Sequence, residues 1–118
     1  DLTLYLQTAS SNTLTQSYVG GATGAIAYLN SNSNFNTISL STLASLGADA
    51  KALQLSGGSS SNTVTQSYLT SPNGYGAQLD TGANSNTLSL STLTPSPKSA
   101  PTGSPLEFVS GGSAWYAL

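Results

Sequence analysis

The chain has 118 residues, of which two are basic and four are acidic, and it contains no Cys, His or Met. Two lysines cannot form the basic surface that nucleic-acid binding requires, and the missing residue types exclude disulfides, Cys/His metal sites and the usual histidine base of catalysis. No apolar run approaches the ~18 residues of a membrane span, and we expect neither a cofactor nor a metal ion.

A seven-residue segment occurs four times along the chain. Its copies begin at asparagines that are 24, 26 and 24 residues apart: Asn12, Asn36, Asn62 and Asn86. The first and third copies read NTLTQSY and NTVTQSY, and the second and fourth read NTISLST and NTLSLST. The larger unit is therefore 50 residues long and is duplicated once.

A short apolar element precedes each copy, reading LYL, AYL, LQL and AQL in chain order. Each repeat of ~25 residues thus contains a short strand, a polar loop, an Asn-Thr strand and a Gly-containing connection. We predict an all-β fold with eight short strands in four two-strand repeats, arranged as a β-sandwich or meander or as a β-solenoid. Only the segment from Ser41 to Asp49 has the potential for a helical turn.

Apolar and polar residues alternate in the repeat strands, which is typical of a half-buried strand. The alternation predicts a repeat-strand core in which four residues occupy equivalent buried positions: Leu14, Ile38, Val64 and Leu88. In the first copy, Gln16 and Tyr18 are predicted to share the face of Leu14. Recurrent tyrosines at strand ends are expected to pack in the core or at an edge, with a lectin-like role as the alternative: Tyr5, Tyr18, Tyr28 and Tyr68.

The opposite face of the repeat strands carries hydroxyl side chains. If the strands stack, these residues form an array of two columns: Thr13/Thr15, Thr37/Ser39, Thr63/Thr65 and Thr87/Ser89. The columns would be ~7 Å apart and the rungs ~4.7 Å apart, close to spacings in the ice lattice. The array is either the ordinary polar face of a sheet or an ice-binding face.

The repeat asparagines also have two interpretations. Each either forms an Asx turn that starts its strand, which we favour, or stacks into a hydrogen-bonded ladder inside a solenoid. The four carboxylates lie far apart in sequence, and nothing in the spacing of Asp49 and Asp80 predicts a catalytic pair. We therefore expect a protein that is not an enzyme.

The end of the chain departs from the repeats. Four prolines in residues 94–105 predict an extended connector, and residues 106–118 read as a β-hairpin around a Gly-rich turn. The predicted organisation is a four-repeat domain, 1–93, with halves 1–49 and 50–93, then the connector and the C-terminal hairpin. The hairpin concentrates aromatic residues of the types that anchor interfaces, and we assign self-association to Phe108, Trp115 and Tyr116.

The C-terminal segment PLEFVSGGSAWYAL resembles the closing hairpin of tail-fibre and capsid-decoration proteins of tailed bacteriophages. Those proteins often end in an apolar strand, a polar turn, and Trp-Tyr followed by two apolar residues. The segment ALQLSGGSSSNTVT, which begins at Ala52, is similar to hairpins of the same fibres. The resemblance covers residues 50–118 and implies a trimeric or higher virion component built from β-structure.

The repeats also resemble curlin-type repeats of bacterial functional amyloids. These have a period in the low twenties, two strands per repeat, and Gln in fixed places. Gln16 and Gln66 fit that pattern, whereas Leu40 and Leu90 replace Gln in the other two copies.

Together these features predict a structural protein that associates with copies of itself, as a trimer or higher assembly, or with a virion shell. We expect it to be localised in a virion, with an extracellular filament or cell-surface role as the alternative and an ice-binding solenoid as the third. A contact with glycans or a host surface is a further expectation for such a component. Neither nucleic acid nor a membrane span is expected.

Overall fold

The computed structural model describes residues 2–80, 82–89, 91–94, 106–108 and 114–117. Side chains are described for residues 2–80, 82–89 and 91–93. The predicted connector, 94–105, and the predicted turn of the C-terminal hairpin lie outside the described residues except for Thr94.

The chain winds into a β-solenoid, in which each coil contributes one strand to each of three parallel sheets. Sheet 1 contains β1 Leu4–Gln7, β4 Ala25–Asn30, β7 Lys51–Leu55, β10 Tyr75–Leu79 and β13 Leu106–Phe108. Sheet 2 contains β2 Thr13–Thr15, β5 Thr37–Ser39, β8 Thr63–Thr65, β11 Asn86–Ser89 and β14 Ala114–Ala117. Sheet 3 contains β3 Tyr18–Gly21, β6 Thr42–Ser45, β9 Tyr68–Thr70 and β12 Thr92–Thr94. Coils 1 to 4 are complete in this sense, and β13 and β14 belong to a fifth.

Neighbouring coils are in one-to-one register. Leu14 of coil 1 pairs with Ile38, and Val64 pairs with Ile38 and with Leu88. The spacing between coils 2 and 3 is two residues longer, because five residues connect β6 to β7, whereas three residues connect β3 to β4 between the same register positions. The register of the strands is therefore kept although this coil is longer, since the extra residues lie in a turn between sheets.

The core consists of inward-facing columns, one residue per coil. Sheet 3 supplies one of them, in which the last three residues are buried: Val19, Leu43, Leu69 and Leu93. Sheet 1 supplies two, which are fully buried in coils 2 to 4: Leu4, Ala27, Leu53 and Ala77, and Leu6, Leu29, Leu55 and Leu79. Burial of these apolar side chains is the main driving force for stacking the coils.

The corners between sheets require left-handed backbone. The corner between sheets 2 and 3 is formed by Gln16, Leu40 and Gln66, with φ angles of 49°, 50° and 49°. A positive φ turns the chain sharply within one residue, which ends one strand and starts the next. Non-glycine residues keep this conformation because their backbone N–H groups bond the next coil, as Gln16 N does to the Ser39 carbonyl at 3.2 Å.

The predicted all-β fold is confirmed, and the solenoid is the architecture observed. The number of strands per repeat is three, so the prediction of two was wrong. The chain bends at Gln16, which removes Tyr18 from the face of Leu14 and places it at the start of β3. The segment from Ser41 to Asp49 forms β6 and a turn instead of helix.

The prediction of a C-terminal hairpin was also wrong. Strand β13 pairs in parallel with β10 of sheet 1, and β14 pairs in parallel with β11 of sheet 2. The two strands therefore extend the solenoid, since each adds to the edge of an existing sheet. The described residues contain no helix, and thus none long and apolar enough to cross a membrane.

Candidate interaction surfaces

The outward face of sheet 2 carries a regular array of hydroxyl side chains, which we call the hydroxyl grid. Column 1 contains Thr13, Thr37, Thr63 and Thr87, and column 2 contains Thr15, Ser39, Thr65 and Ser89. The two grid residues of coil 1, Thr13 and Thr15, are exposed, and the other grid side chains are half-buried between their neighbours. The stacking expected from the sequence is thus present in the structure.

Hydrogen bonds connect hydroxyls within column 2. The Oγ of Ser39 donates to Oγ1 of Thr15 at 3.1 Å, and the Oγ of Ser89 donates to Oγ1 of Thr65 at 3.2 Å. In the part of the chain that the structure describes, the hydroxyls of column 1 bond no protein group, so they face water.

The repeat asparagines form a ladder inside the solenoid. Asn62 is 2% exposed; its backbone N–H and its Nδ2 both donate to Oδ1 of Asn86, at 2.9 and 3.0 Å. Its own Oδ1 receives the same two bonds from Asn36, again at 2.9 and 3.0 Å. Its Nδ2 also donates to the Ser33 carbonyl at 2.9 Å. The structure therefore shows the ladder, which is the interpretation we did not favour. It forms because stacked coils bring the asparagine amides of neighbouring coils within hydrogen-bond distance.

A serine ladder follows the repeat strands. The backbone N–H groups of Ser17, Ser41 and Ser67 donate to the Oγ of the serine one coil further, at 3.1, 3.2 and 3.2 Å, ending at Ser91. Each Oγ in turn donates to the carbonyl two residues earlier, as Ser67 does to Thr65 at 2.9 Å. Sequence analysis missed this ladder, although a serine stands five residues after every repeat asparagine.

The edge of coil 1 differs from the interior. Its apolar core residues are only half-buried: Leu4, Leu6, Leu14 and Val19. A depression of about 100 Å³ opens there against Ile38. Asn12 donates to Asn36 as the other asparagines do, but within the described chain its Oδ1 accepts no bond. Coil 1 thus offers apolar surface, free strand edges and an unused acceptor on one side.

The tyrosines lie on the outside. Tyr18 is 73% exposed, and Tyr5 stacks on Tyr28 with ring centroids 5.4 Å apart on the outward face of sheet 1. Tyr68 and Thr42 line an open depression on sheet 3. Of the two predicted positions for these tyrosines, core or edge, the core is therefore wrong.

The sequence-predicted core residues occupy one column of sheet 2. Ile38, Val64 and Leu88 are at most 2% exposed, and Leu14 is half-buried at the edge. The residues assigned to self-association continue existing columns in the register. Phe108 aligns with Leu79, and Tyr116 and Trp115 align with Leu88 and Thr87. Their side chains lie outside the described residues, so their role stays a prediction.

Asp49 and Asp80 lie far apart in the structure. Asp49 precedes β7 at one end of sheet 1, whereas Asp80 follows β10 at the other end and accepts a bond from Nε2 of Gln54 at 3.2 Å. Across the described ranges, no three acidic residues are close enough together to hold a metal ion.

Comparison with protein-family models, with curated proteins and with solved structures finds no match for this chain.

Proposed function

We propose that this chain is a non-enzymatic structural protein that polymerises by stacking its coils head to tail with other copies. The observation that carries the proposal is the edge of coil 1, where Asn12 presents an Oδ1 that every equivalent asparagine uses to accept two bonds. A further coil placed on this edge would cover the half-buried leucines, and the backbone N–H of Ala114, which holds the asparagine register position in the last coil, would donate to this Oδ1.

A second copy fits this edge in one orientation. Every described strand pair in the solenoid is parallel, and every ladder donates from one coil to the next coil along the chain. Head-to-tail stacking continues both the strand direction and the direction of donation. Head-to-head stacking would make the strands antiparallel and would bring two asparagine acceptors together without a donor.

Head-to-tail contacts are heterologous and do not close, so they generate filaments. Unpaired strand edges are the usual template for such growth, and the net charge of −2 opposes it only weakly. The filament is the shaft of a virion fibre, in line with the resemblance of residues 50–118, or an extracellular filament.

Sedimentation velocity and negative-stain electron microscopy over a concentration series test the proposal. We expect mass to grow with concentration and particles to lengthen along one axis. Leu14→Asp, at the edge, should abolish growth, whereas Leu40→Asp, on an exposed outer corner of coil 2, should leave it intact. Circular dichroism checks that both variants remain folded.

A chain that stays monomeric at every concentration would overturn the proposal, as would equal growth of folded Leu14→Asp. Long uniform fibres of the purified chain favour the extracellular filament. Short stacks with a fixed number of copies favour the virion component.

A further inference from the structure

The hydroxyl grid is the most regular surface that the structure describes. Four successive coils place a threonine in column 1 and a threonine or serine in column 2, in one-to-one register. Polymerisation through the coil edges does not use this face. Its regularity therefore needs a separate explanation.

Two hydrogen-bond ladders hold the grid in place. In each coil the ladder asparagine directly precedes the column 1 residue, and the ladder serine lies two residues after the column 2 residue. In coils 1 to 3 the segment that carries the two grid residues is thus fixed at both ends to the equivalent points of the next coil. The bonds within column 2 restrict the side chains as well. Rigid spacing is a requirement for matching a crystalline lattice, whereas an ordinary solvated sheet face has no need of it.

The grid has the dimensions of a strand stack. Rungs of parallel strands are ~4.8 Å apart, and alternate residues along a strand are ~6.6 Å apart. Both distances come close to repeat distances between water oxygens on an ice surface. A match in two directions at once allows many water molecules to bind in lattice positions together.

The chemistry of the face suits ordered water. The strands of sheet 2 contain no charged residue. The charged residues that the structure describes are Asp49, Lys51, Asp80 and Glu107, which all lie in sheet 1 or in its flanking turns. Threonine presents a methyl group and a hydroxyl group side by side, and bridging water is nearly as favourable to a hydroxyl as a direct bond.

We propose that the hydroxyl grid binds the surface of ice. The occupant is the water lattice itself, with water molecules held by the column 1 hydroxyls and between the two columns. The grid ends after coil 4, because the register positions that continue it belong to Trp115 and Ala117, which carry no hydroxyl group.

Thermal hysteresis of the purified chain, measured by nanolitre osmometry, tests the proposal. We expect a freezing point below the melting point and faceted ice crystals. Exchanging two grid residues, Thr63→Tyr with Thr65→Tyr, should reduce hysteresis to that of a protein without ice affinity, because the bulky rings break the lattice match. The matched control is Thr42→Tyr with Thr92→Tyr on the outward face of sheet 3, where Tyr18 and Tyr68 already share the column.

A variant that is expected to increase thermal hysteresis, the gain variant, separates loss of ice binding from loss of folding. Ser39→Thr with Ser89→Thr completes column 2 with threonine and should raise hysteresis. Absence of hysteresis and of ice shaping in the unmodified chain would overturn the proposal. So would equal loss in the sheet 2 and sheet 3 variants when both keep the unmodified melting temperature, or a gain variant with no increase.

Discussion

The first and third repeats have almost the same sequence, NTLTQSY and NTVTQSY, but different environments. In coil 3, Asn62 and Val64 are each 2% exposed, and Asn62 has bonded neighbours on both sides. In coil 1, Asn12 is exposed and Leu14 is half-buried, since described neighbours lie on one side only. Burial in this fold is therefore set by position in the stack. Coil 1 has the sequence of an interior coil at the edge of the solenoid.

A charged residue in the core column of sheet 2 should show the largest difference in stability between coil 3 and coil 1. Val64→Asp places an unpaired carboxylate between Ile38 and Leu88, which costs more than about 4 kcal/mol and should unfold the chain. Leu14→Asp at the edge reaches water and should cost about 1–2 kcal/mol. Circular dichroism melts compare the two variants. A folded Val64→Asp with unchanged melting would contradict the register.

Loss of a ladder asparagine should also destabilise the chain more in coil 3 than in coil 1. Asn62→Ala leaves the buried N–H of Asn36 without its acceptor and removes several bonds, so it should lower the free energy of unfolding by about 3 kcal/mol. Asn12→Ala should lower it by less than about 1 kcal/mol, because water reaches the freed groups. Urea titrations measure both values. Equal losses would mean that the ladder contributes little beyond local strand initiation.

Glycine substitutions in coil 1 and in the later coils should show a smaller difference. A Cβ at Gly74 would collide with the carbonyl oxygen of Ala50 in the turn one coil earlier, so Gly74→Ala should cost about 2 kcal/mol. At Gly20, which lies in strand β3 of coil 1, the three atoms nearest to a Cβ all belong to the ring of Tyr18, which is exposed and free to turn away. Gly20→Ala should change stability by less than about 1 kcal/mol. Similar melting temperatures for the two variants would show that the turns stack less tightly than the structure describes.

Much of the fold was predictable, because each repeat contains the pattern of every coil. The Asn spacing and the alternation around Ile38 and Val64 define the register of sheet 2. The third strand was not predictable in the same way. A single residue with positive φ, such as Gln16, ends β2 and turns the chain, and neither Gln nor Leu indicates this conformation in a sequence. The hairpin interpretation failed because two apolar strands around a Gly-rich turn look alike whether they pair with each other or with an existing sheet.

The candidate surfaces also divide into one that the sequence predicted and others that it did not. The hydroxyl grid could be read from the alternation of the repeat strands. The edge of coil 1 could not, since NTLTQSY has the same pattern as the interior copy NTVTQSY, and only the structure shows its half-buried core residues and the unused acceptor of Asn12. The outward tyrosines were missed because Tyr18 changes face at the corner that the sequence did not reveal.

In the proposed polymer, the open edge of coil 1 stacks head to tail on the last coil of another copy. Cysteine cross-linking tests it directly, because the chain has no native cysteine. Head-to-tail stacking places Thr15 of one copy one rung from Ala117 of the next, at ~4.8 Å, which a disulfide can bridge. Within one chain the two positions are four rungs, about 19 Å, apart.

The experiment mixes two single variants, Thr15→Cys and Ala117→Cys, under mild oxidation and compares the mixture with each variant alone. We predict a cross-linked dimer in the mixture and none in either variant alone. Dimers of Thr15→Cys alone would show head-to-head contact, and a mixture that yields no more dimer than the separate variants would contradict the account.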